Sequence, residues 1–435
     1  MMNRNYIYVL IVLIVAALFI VMPAAAEEHA HNNADGWLEL NTQTVNSNDY
    51  QLKTGKYYLT EDISLIKTLT IAGNVELDLN GQSLTLTKDT DHVITINNKG
   101  VLTLMDCKNS GKIIGLKNSN GNKIGDYGGG INIESGKLTM NGGTIFECTA
   151  HHGGGIYVSS SSEFIMNGGT IESCYGVSGA GIYNEGKTIL NGGVIDGKGH
   201  AYSKEYQTNF GGGIYNAGEM TINDCTIINC QSKRGAGIYN DDSLKSIAVL
   251  TINGGIIKDC LSEYHINGDC LYALKPVTMN SGTLDGNIIV NKASLKLDGP
   301  GLILGDIRLI ESKLIIADSW DGYNRAGYTF DGWFRKYNND YTKFNDQKSG
   351  MWQYTAKGDE TIQARWTKSA SSTPVQTQKP TETISVQPTV INTPEPTETQ
   401  TSEPVQTATQ ASASPLPLAG IIAGCAAALF VCRRH

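Results

Sequence analysis

A short alternation of apolar and polar residues returns six times along the middle of the chain and ends each time on an asparagine. Apolar residues stand three and one before the asparagine, apart from Thr188, and a Thr or Ile lies between them. This period of two predicts β-strands with one buried face. The asparagines are spaced by 24 to 32 residues and are Asn141, Asn167, Asn191, Asn223, Asn253 and Asn280.

Two further apolar columns follow the same spacing. One stands four residues after each asparagine, and the other lies in an Ile-Tyr-Asn-like segment before it. Three short strands per unit of about 25 residues cannot bury their faces alone, but stacked units enclose one continuous core. The pattern therefore predicts a parallel β-helix. A propeller blade would need about 40 residues and four strands, and a leucine-rich repeat would need a Leu-x-x-Leu-x-Leu pattern that the chain lacks.

A glycine cluster precedes each Ile-Tyr-Asn segment, as in HHGGGIYV from residue 151 and FGGGIYN from residue 210. Corners of a solenoid need positive φ and close backbone approach, which glycine permits. No Gly-Lys-Ser/Thr follows these glycines, so a phosphate-binding loop is not indicated. The asparagine of the Asn-Gly-Gly corner can take the left-handed conformation, and stacked asparagines can form a side-chain amide ladder.

The same alternation continues upstream over 69–107 and downstream over 293–319. We therefore predict the β-helix over residues 57–318. Residues 27–56 show no strong period, and they are interpreted as an N-terminal cap or a disordered segment.

Both ends of the chain have the composition of targeting or linking segments. Residues 1–26 have the form of a secretory signal peptide that closes on Ala24-Ala25-Ala26, with a retained membrane anchor as the alternative. Residues 368–415 are rich in Thr, Ser and Pro and predict a disordered stalk. Residues 416–432 are apolar and predict a transmembrane helix, and the arginines of the tail 433–435 favour a cytoplasmic end.

The charge balance bears on the partners. The chain has 34 Lys+Arg and 42 Asp+Glu, a net charge of −8, and no basic run in its body. Nucleic acid is therefore not an expected partner. The oligomeric state is not predicted.

Several runs resemble a known group of proteins. TGKYYLTEDI, VELDLNGQSLTL, GKLTMNGGTI and GGGIYN are similar to segments of pectin-lyase-like, right-handed β-helix, adhesin-like surface proteins of anaerobic bacteria and archaea. The resemblance spans residues 54–318. It implies an all-β, right-handed, single-stranded parallel β-helix, and many members of the group are presumed adhesins.

A second resemblance begins where the first ends. RAGYTFDGWFRKYNN at 325–339 and KGDETIQARWT at 357–367 resemble the Listeria–Bacteroides repeat of internalin-type proteins, a small β-grasp-like module. The resemblance implies such a module over 319–367. The family's leading strand is missing, so either Lys313–Ala317 replaces it or the module is partial. Phe330, Trp333 and Trp366 are expected to form a small core.

No catalytic constellation is found. Hydrolases of the resembled fold carry Asn-Thr-Asp, Asp-Asp, Gly-His-Gly and Arg-Ile-Lys in that order, and this chain has only Asp241-Asp242 and, before it, His200 in GKGH. Asp241-Asp242 is interpreted as a solvated turn, and no enzyme activity is expected. No metal or cofactor is expected either, since no Cys-x-x-Cys occurs and His151-His152 stands alone at a corner.

Two sets of aromatic residues are candidates for ligand binding. The insertions 108–127 and 198–210 interrupt the regular coil, and insertions of solenoids often map to a binding face. The second contains His200, Tyr202 and Tyr206, which are either ligand contacts or part of a flexible excursion. The other set would form a stripe down the solenoid if it is exposed, or would pack against neighbouring turns; it comprises Tyr157, Tyr183, Tyr215, Tyr239 and Tyr272.

Four cysteines stand seven residues after an aligned asparagine, at Cys148, Cys174, Cys230 and Cys260. Stacked coils about 4.8 Å apart would allow the disulfides Cys148–Cys174 and Cys230–Cys260, although parallel stacking strains the dihedral. A ladder of buried thiols is the alternative.

The expected function follows from this layout. A rigid rod on a stalk at the cell surface predicts an adhesin-like protein that binds polysaccharide or another cell's surface. A structural envelope component without a dedicated ligand is the second hypothesis, and a carbohydrate-active lyase or hydrolase is the third.

Overall fold

Three long sheets organise the chain, whose structure is a computed structural model. It describes residue 31 and residues 35–88, 92–116, 125–198, 208–241, 248–338, 340–345 and 351–369. Strands are numbered β1 to β42 along the chain. From β3 to β38, most strands go to sheets I, II and III in turn, and within each sheet these strands pair in parallel with the strand one circuit later. The chain is thus an all-β protein with long parallel sheets, consistent with a parallel β-helix.

Sheet I contains the strands that end on the asparagine corner. In spatial order they are β1 (Trp37–Leu40), β3 (Gly55–Leu59), β6 (Asn74–Asp78), β9 (Gly100–Met105), β13 (Gly136–Met140), β17 (Glu163–Met166), β21 (Lys187–Leu190), β24 (Glu219–Ile222), β28 (Val249–Ile252), β32 (Val277–Met279), β35 (Ser294–Leu297), β38 (Lys313–Ile316) and β41 (Trp352–Thr355).

Sheet II contains the strands that follow the asparagine corner. They are β4 (Ile63–Leu65), β7 (Ser83–Leu86), β10 (Lys112–Ile114), β14 (Thr144–Phe146), β18 (Thr170–Glu172), β22 (Val194–Asp196), β25 (Thr226–Ile228), β29 (Ile256–Lys258), β33 (Thr283–Asp285) and β36 (Leu302–Ile303).

Sheet III contains the Ile-Tyr-Asn strands and ends in three C-terminal strands. In spatial order they are β2 (Gln51–Leu52), β5 (Leu69–Ile71), β8 (Ile94–Ile96), β12 (Ile131–Ile133), β16 (Ile156–Val158), β20 (Ile182–Asn184), β23 (Ile214–Asn216), β27 (Ile238–Asn240), β31 (Leu271–Ala273), β34 (Ile288–Asn291), β37 (Ile307–Ile310), β42 (Asp359–Lys368), β39 (Tyr328–Tyr337) and β40 (Asp340–Asn345).

Smaller elements lie at the corners. A short sheet precedes sheet III and contains β11 (Gly125–Tyr127), β15 (Thr149–His152) and β19 (Tyr175–Ser178); a two-strand sheet contains β26 (Gln231–Ser232) and β30 (Leu261–Ser262). The helix α1 (Thr42–Ser47) and a 3-10 turn (Glu263–His265) complete the described elements.

The apolar columns form the core, as predicted. In the six central coils, every residue three before, one before and four after the aligned asparagine is at most 3% exposed, and so is every residue of the Ile column from Ile131 to Leu271. Alternation therefore reports the buried face correctly, because strand side chains point to opposite faces in turn.

The asparagine ladder is also confirmed. Each amide Nδ2 donates to the Oδ1 of the preceding coil at 2.7–2.9 Å, from Asn167 to Asn141 and onward to Asn280. The left-handed residue of this corner is the second glycine, as at Gly169 with φ +86°, rather than the asparagine. Glycine takes this φ without the Cβ conflict that asparagine would meet.

The two ends differ from the prediction. β1 pairs in parallel with β3, so the stacked strands begin at Trp37 rather than near Tyr57. Asn41 caps α1 by accepting a hydrogen bond from the backbone N–H of Thr44, and Val45 of this helix is buried in the core. The pattern is weak here because α1 interrupts the alternation.

At the other end, the segment predicted as a separate module continues the sheets. β41 pairs antiparallel with β38 of sheet I, and β42 pairs antiparallel with β37 of sheet III. The strand Lys313–Ile316 therefore lies next to β41 in sheet I. Phe330 and Trp333 are buried in the same core as Leu314, and Trp366 packs against it. Antiparallel strands cover the open edge that the last coil would otherwise present.

Candidate ligand-binding face

The outer face of sheet III carries the predicted tyrosine column. Each tyrosine follows a buried Ile or Leu, so strand alternation turns its side chain away from the core. The strands pair in register, with Tyr157 opposite Tyr183 and each later tyrosine opposite the next. Neighbouring rings are 4.5–5.7 Å apart between centroids and lie nearly parallel, with an interplanar angle of 4° for Tyr183 and Tyr215.

The column is packed rather than an open stripe. Tyr157, Tyr239 and Tyr272 are 9%, 6% and 8% exposed, and Tyr183 and Tyr215 are half-buried. The alternative of an exposed stripe therefore does not hold for these three of the five tyrosines. The alternative, packing against neighbouring turns, is what the structure shows.

A second aromatic column covers the first. The short sheet aligns Tyr127 with His152, and isolated bridges extend this row through Ser178 to Phe210. Tyr127 lies 4.5 Å from the Tyr157 ring and His152 lies 4.8 Å from the Tyr183 ring. Phe210 lies 4.9 Å from the Tyr239 ring. Both columns together are called the aromatic face below.

The sequence analysis did not predict this second column, although the sequence contains a pattern that marks its residues. Tyr127, His152 and Phe210 each stand immediately before a glycine cluster. The glycine that follows is left-handed in each case, with φ +67° at Gly153. That turn changes the direction of the chain, so the residue before it lies beside sheet III and not within it.

Two acidic residues border the aromatic face. The Tyr157 hydroxyl donates to Glu185 Oε2 at 2.5 Å. Burial, together with this hydrogen bond, raises the pKa of Tyr157 well above its usual value. Burial also raises the pKa of Tyr215, with Asp241 as the next cause. These phenols are therefore neutral hydrogen-bond donors at physiological pH.

His152 is the one histidine of the aromatic face. Burial lowers its pKa from the ordinary value, and the neighbouring His151 lowers it further. The ring is consequently neutral near pH 7 and presents an aromatic surface between Tyr127 and Tyr183.

The candidate catalytic residues do not form a described site. Asp241 is 5% exposed and lies beside Tyr215, so the solvated-turn interpretation is wrong for this residue. Asp242 and His200 lie outside the described residues, as do Tyr202 and Tyr206. Of the two long insertions, one ends at Tyr127 and the other ends at Phe210, so both lead directly into the second aromatic column.

The four aligned cysteines are free thiols, and this corrects the disulfide alternative. Each Sγ–H donates to the carbonyl two residues before it, as from Cys148 to Phe146 O and from Cys260 to Lys258 O, both at 3.3 Å. Burial raises the pKa of Cys148 well above its usual value. Parallel stacking points the four Cβ atoms the same way, and all four thiol side chains are buried.

Within the described ranges, no helix is both long enough and apolar enough to cross a membrane. The predicted signal peptide, stalk and transmembrane segment lie outside those ranges. No protein-family model matches the chain, and neither the curated proteins nor the solved structures searched include a match to it.

Proposed function

We propose that this chain is a cell-surface, adhesin-like protein that binds polysaccharide or another cell's surface through a right-handed β-helix rod. In this proposal the signal peptide 1–26 directs secretion and the segment 416–432 anchors the chain in the membrane. The stalk 368–415 holds the body away from the membrane, with the internalin-type segment 319–367 at the base of the rod.

The observation that carries the proposal is the aromatic face. Aromatic rings with nearby hydrogen-bonding groups offer an apolar surface and a polar tip at the same place, which suits binding of polar ligands with flat apolar sides. Tyr127 is 43% exposed, and the half-buried Tyr183 and Tyr215 lie further along the row. Glu185 supplies a carboxylate acceptor beside them. A row of such rings along several coils fits a linear polymer such as a glycan.

A structural envelope role is the second candidate, and the packing of the tyrosine column favours it. Tyr157, Tyr239 and Tyr272 make ring contacts as core residues do and leave less than a tenth of their surface to solvent. An outer layer of stacked rings and the exposed asparagine ladder would stiffen a rod that has no ligand.

Retention of the full chain on immobilised polysaccharides and on whole cells distinguishes the adhesin-like role from the structural envelope role. We expect one glycan class to retain the protein. Tyr127→Ala and Tyr183→Ala should each weaken binding about tenfold, which corresponds to about 1.4 kcal/mol. Tyr337→Ala is the matched control, since Tyr337 is 76% exposed and lies on β39 away from the aromatic face.

Retention that is insensitive to Tyr127→Ala and Tyr183→Ala would contradict this assignment of the binding face. Absence of retention on every surface would favour the envelope role. The far-ultraviolet circular dichroism of each variant must match that of the parent, so that a lost fold is not mistaken for a lost contact.

A further inference from the structure

Three residues that are distant in sequence meet near the first coils. Asp78 is the last residue of β6, and Cys107 follows β9, the next strand of sheet I. His31 precedes β1 and contacts Asp78 across 47 positions of sequence. This cluster is not part of the aromatic face.

The geometry of the cluster is that of metal ligands. His31 Nε2 and Asp78 Oδ2 are 3.0 Å apart, and one ligand atom from each of His31, Asp78 and Cys107 lies within 4.8 Å of the others. Two ligand atoms at about 2.0 Å from a tetrahedral ion are about 3.3 Å apart. Small side-chain rotations would therefore bring all three atoms to a single ion.

The surroundings hold the ligands in place. The His31 ring stacks on Tyr58 with centroids 4.4 Å apart and an interplanar angle of 2°, and it meets the Trp37 ring edge-on at 4.8 Å. Asp78 Oδ1 accepts hydrogen bonds from the backbone N–H groups of Asn80 at 2.7 Å and Cys107 at 3.1 Å. Such contacts orient ligands before a metal binds.

Burial of the three side chains gives an electrostatic reason for a cation to bind between them. Asp78 is fully buried, Cys107 is 5% exposed and the His31 side chain is 7% exposed. A divalent cation bound between these buried side chains would stabilise both the Asp78 carboxylate and the Cys107 thiolate.

We propose that His31, Asp78 and Cys107 form a three-ligand site for a divalent cation of the zinc class, which pins the N-terminal segment to β6 and β9, the third and fourth strands of sheet I. The mixture of nitrogen, sulfur and oxygen ligands favours zinc over calcium or magnesium, which take oxygen ligands. Sequence spacing gave no sign of this site, since the three ligands come from separate segments. Cys107 loses its thiol proton to solvent as the metal–sulfur bond forms.

Cobalt substitution tests the proposal on the full chain purified in detergent and stripped with a chelator. One equivalent of Co²⁺ should produce a thiolate-to-cobalt charge-transfer band, and Zn²⁺ should abolish it by competition. Zn²⁺ should also raise the thermal midpoint of the chain, since the ion binds the folded state.

Matched variants locate the ligands. Cys107→Ser should abolish the band and weaken Zn²⁺ binding at least about 100-fold, because even a residue that only orients a ligand contributes about 10- to 100-fold. Asp78→Asn should weaken Zn²⁺ binding similarly. Cys225→Ser removes another buried thiol and should leave the band unchanged.

Two results would overturn the proposal. One is the absence of the band together with a thermal midpoint that Zn²⁺ does not change, which would leave His31–Asp78 as a hydrogen-bonded pair beside an inert thiol. The other is Zn²⁺ binding that persists in both Cys107→Ser and Asp78→Asn, which would place the ion on other residues. Far-ultraviolet circular dichroism of each variant checks that it folds.

Discussion

Replacing Gly154 by alanine tests whether the glycine clusters are required by the close approach of stacked coils. A Cβ at Gly154 would lie 2.0 Å from the carbonyl oxygen of Tyr175 and 2.7 Å from that of Ala180, both in the next coil. Carbon and oxygen in contact need about 3.3 Å. The backbones would therefore have to separate by about 1.3 Å, and no flexible side chain can absorb this shift.

Such a separation would break the hydrogen bonds between these coils. The Gly154 N–H donates to Gly179 O at 3.2 Å, and the Gly155 N–H donates to Ala180 O at 3.0 Å. At about 1 kcal/mol for each lost bond, with overpacking strain of about 1–3 kcal/mol, we expect Gly154→Ala to destabilise the fold by at least about 3 kcal/mol.

Gly358→Ala is the matched control, because a Cβ there meets nothing within 4 Å and its φ is ordinary. This change should be neutral or stabilising by about 0.4–1 kcal/mol. The assay is the denaturant midpoint together with amide hydrogen exchange in β15, β16, β19 and β20. Exchange matters because stacked coils can unfold locally rather than in one step.

The reasoning would be refuted if Gly154→Ala had the same denaturant midpoint as Gly358→Ala. It would also have to show the same amide-exchange protection as the parent chain. That result would mean that the coils can separate at this corner without losing their pairing. The glycine clusters would then need another explanation, such as a conformational requirement limited to the left-handed Gly153.

Two further predictions concern the outer surface of the rod. Asn223→Ala removes hydrogen bonds to Asn191 at 2.7 Å and from Asn253 at 2.8 Å, so it should reduce the free energy of unfolding by roughly 1 kcal/mol, since these bonds are exposed to water. Asn74→Ala, at an exposed asparagine outside the ladder, should have little effect on the denaturant midpoint, and an equal loss in both variants would argue against the ladder. Burial raises the pKa values of Tyr157 and Tyr215 in the folded chain, so their contribution to stability should be fully present below about pH 10 and should decline as the pH rises further. Alkaline unfolding followed by tyrosinate absorbance checks this, and Tyr157→Phe should make the decline shallower; an unchanged pH dependence would contradict it.

The aromatic face and the proposed cation site lie on different parts of the fold and depend on different features. The aromatic face arises where two rows of residues meet at the corner between the short sheet and sheet III. The proposed cation site lies where His31 meets Asp78 at the end of β6, beside Cys107 after β9. Loss of one should therefore leave the other intact, and the two sets of variants can be tested independently.

For the six central coils, the sequence by itself determined the three main strands of each coil, their register and the core. A period of two identifies the buried face because a strand allows only two faces, and the spacing of Asn141, Asn167 and their successors identifies which residues stack. The ladder of asparagine amides and the left-handed glycines at the corners follow from the same local rules. These features are repeated in successive coils, so each coil supports the interpretation of the next.

Only the tertiary structure decided what covers the outer face. Alternation shows that Tyr157 points away from the core, but not that Tyr127, which arrives from the preceding corner, packs over it. The thiol of Cys148 and the antiparallel closure by β41 and β42 were likewise open at the sequence level, since both depend on the direction of side chains or strands in space. His31, Asp78 and Cys107 share no local pattern. Their proximity depends on the path of the whole N-terminal segment, which a period within a coil cannot specify.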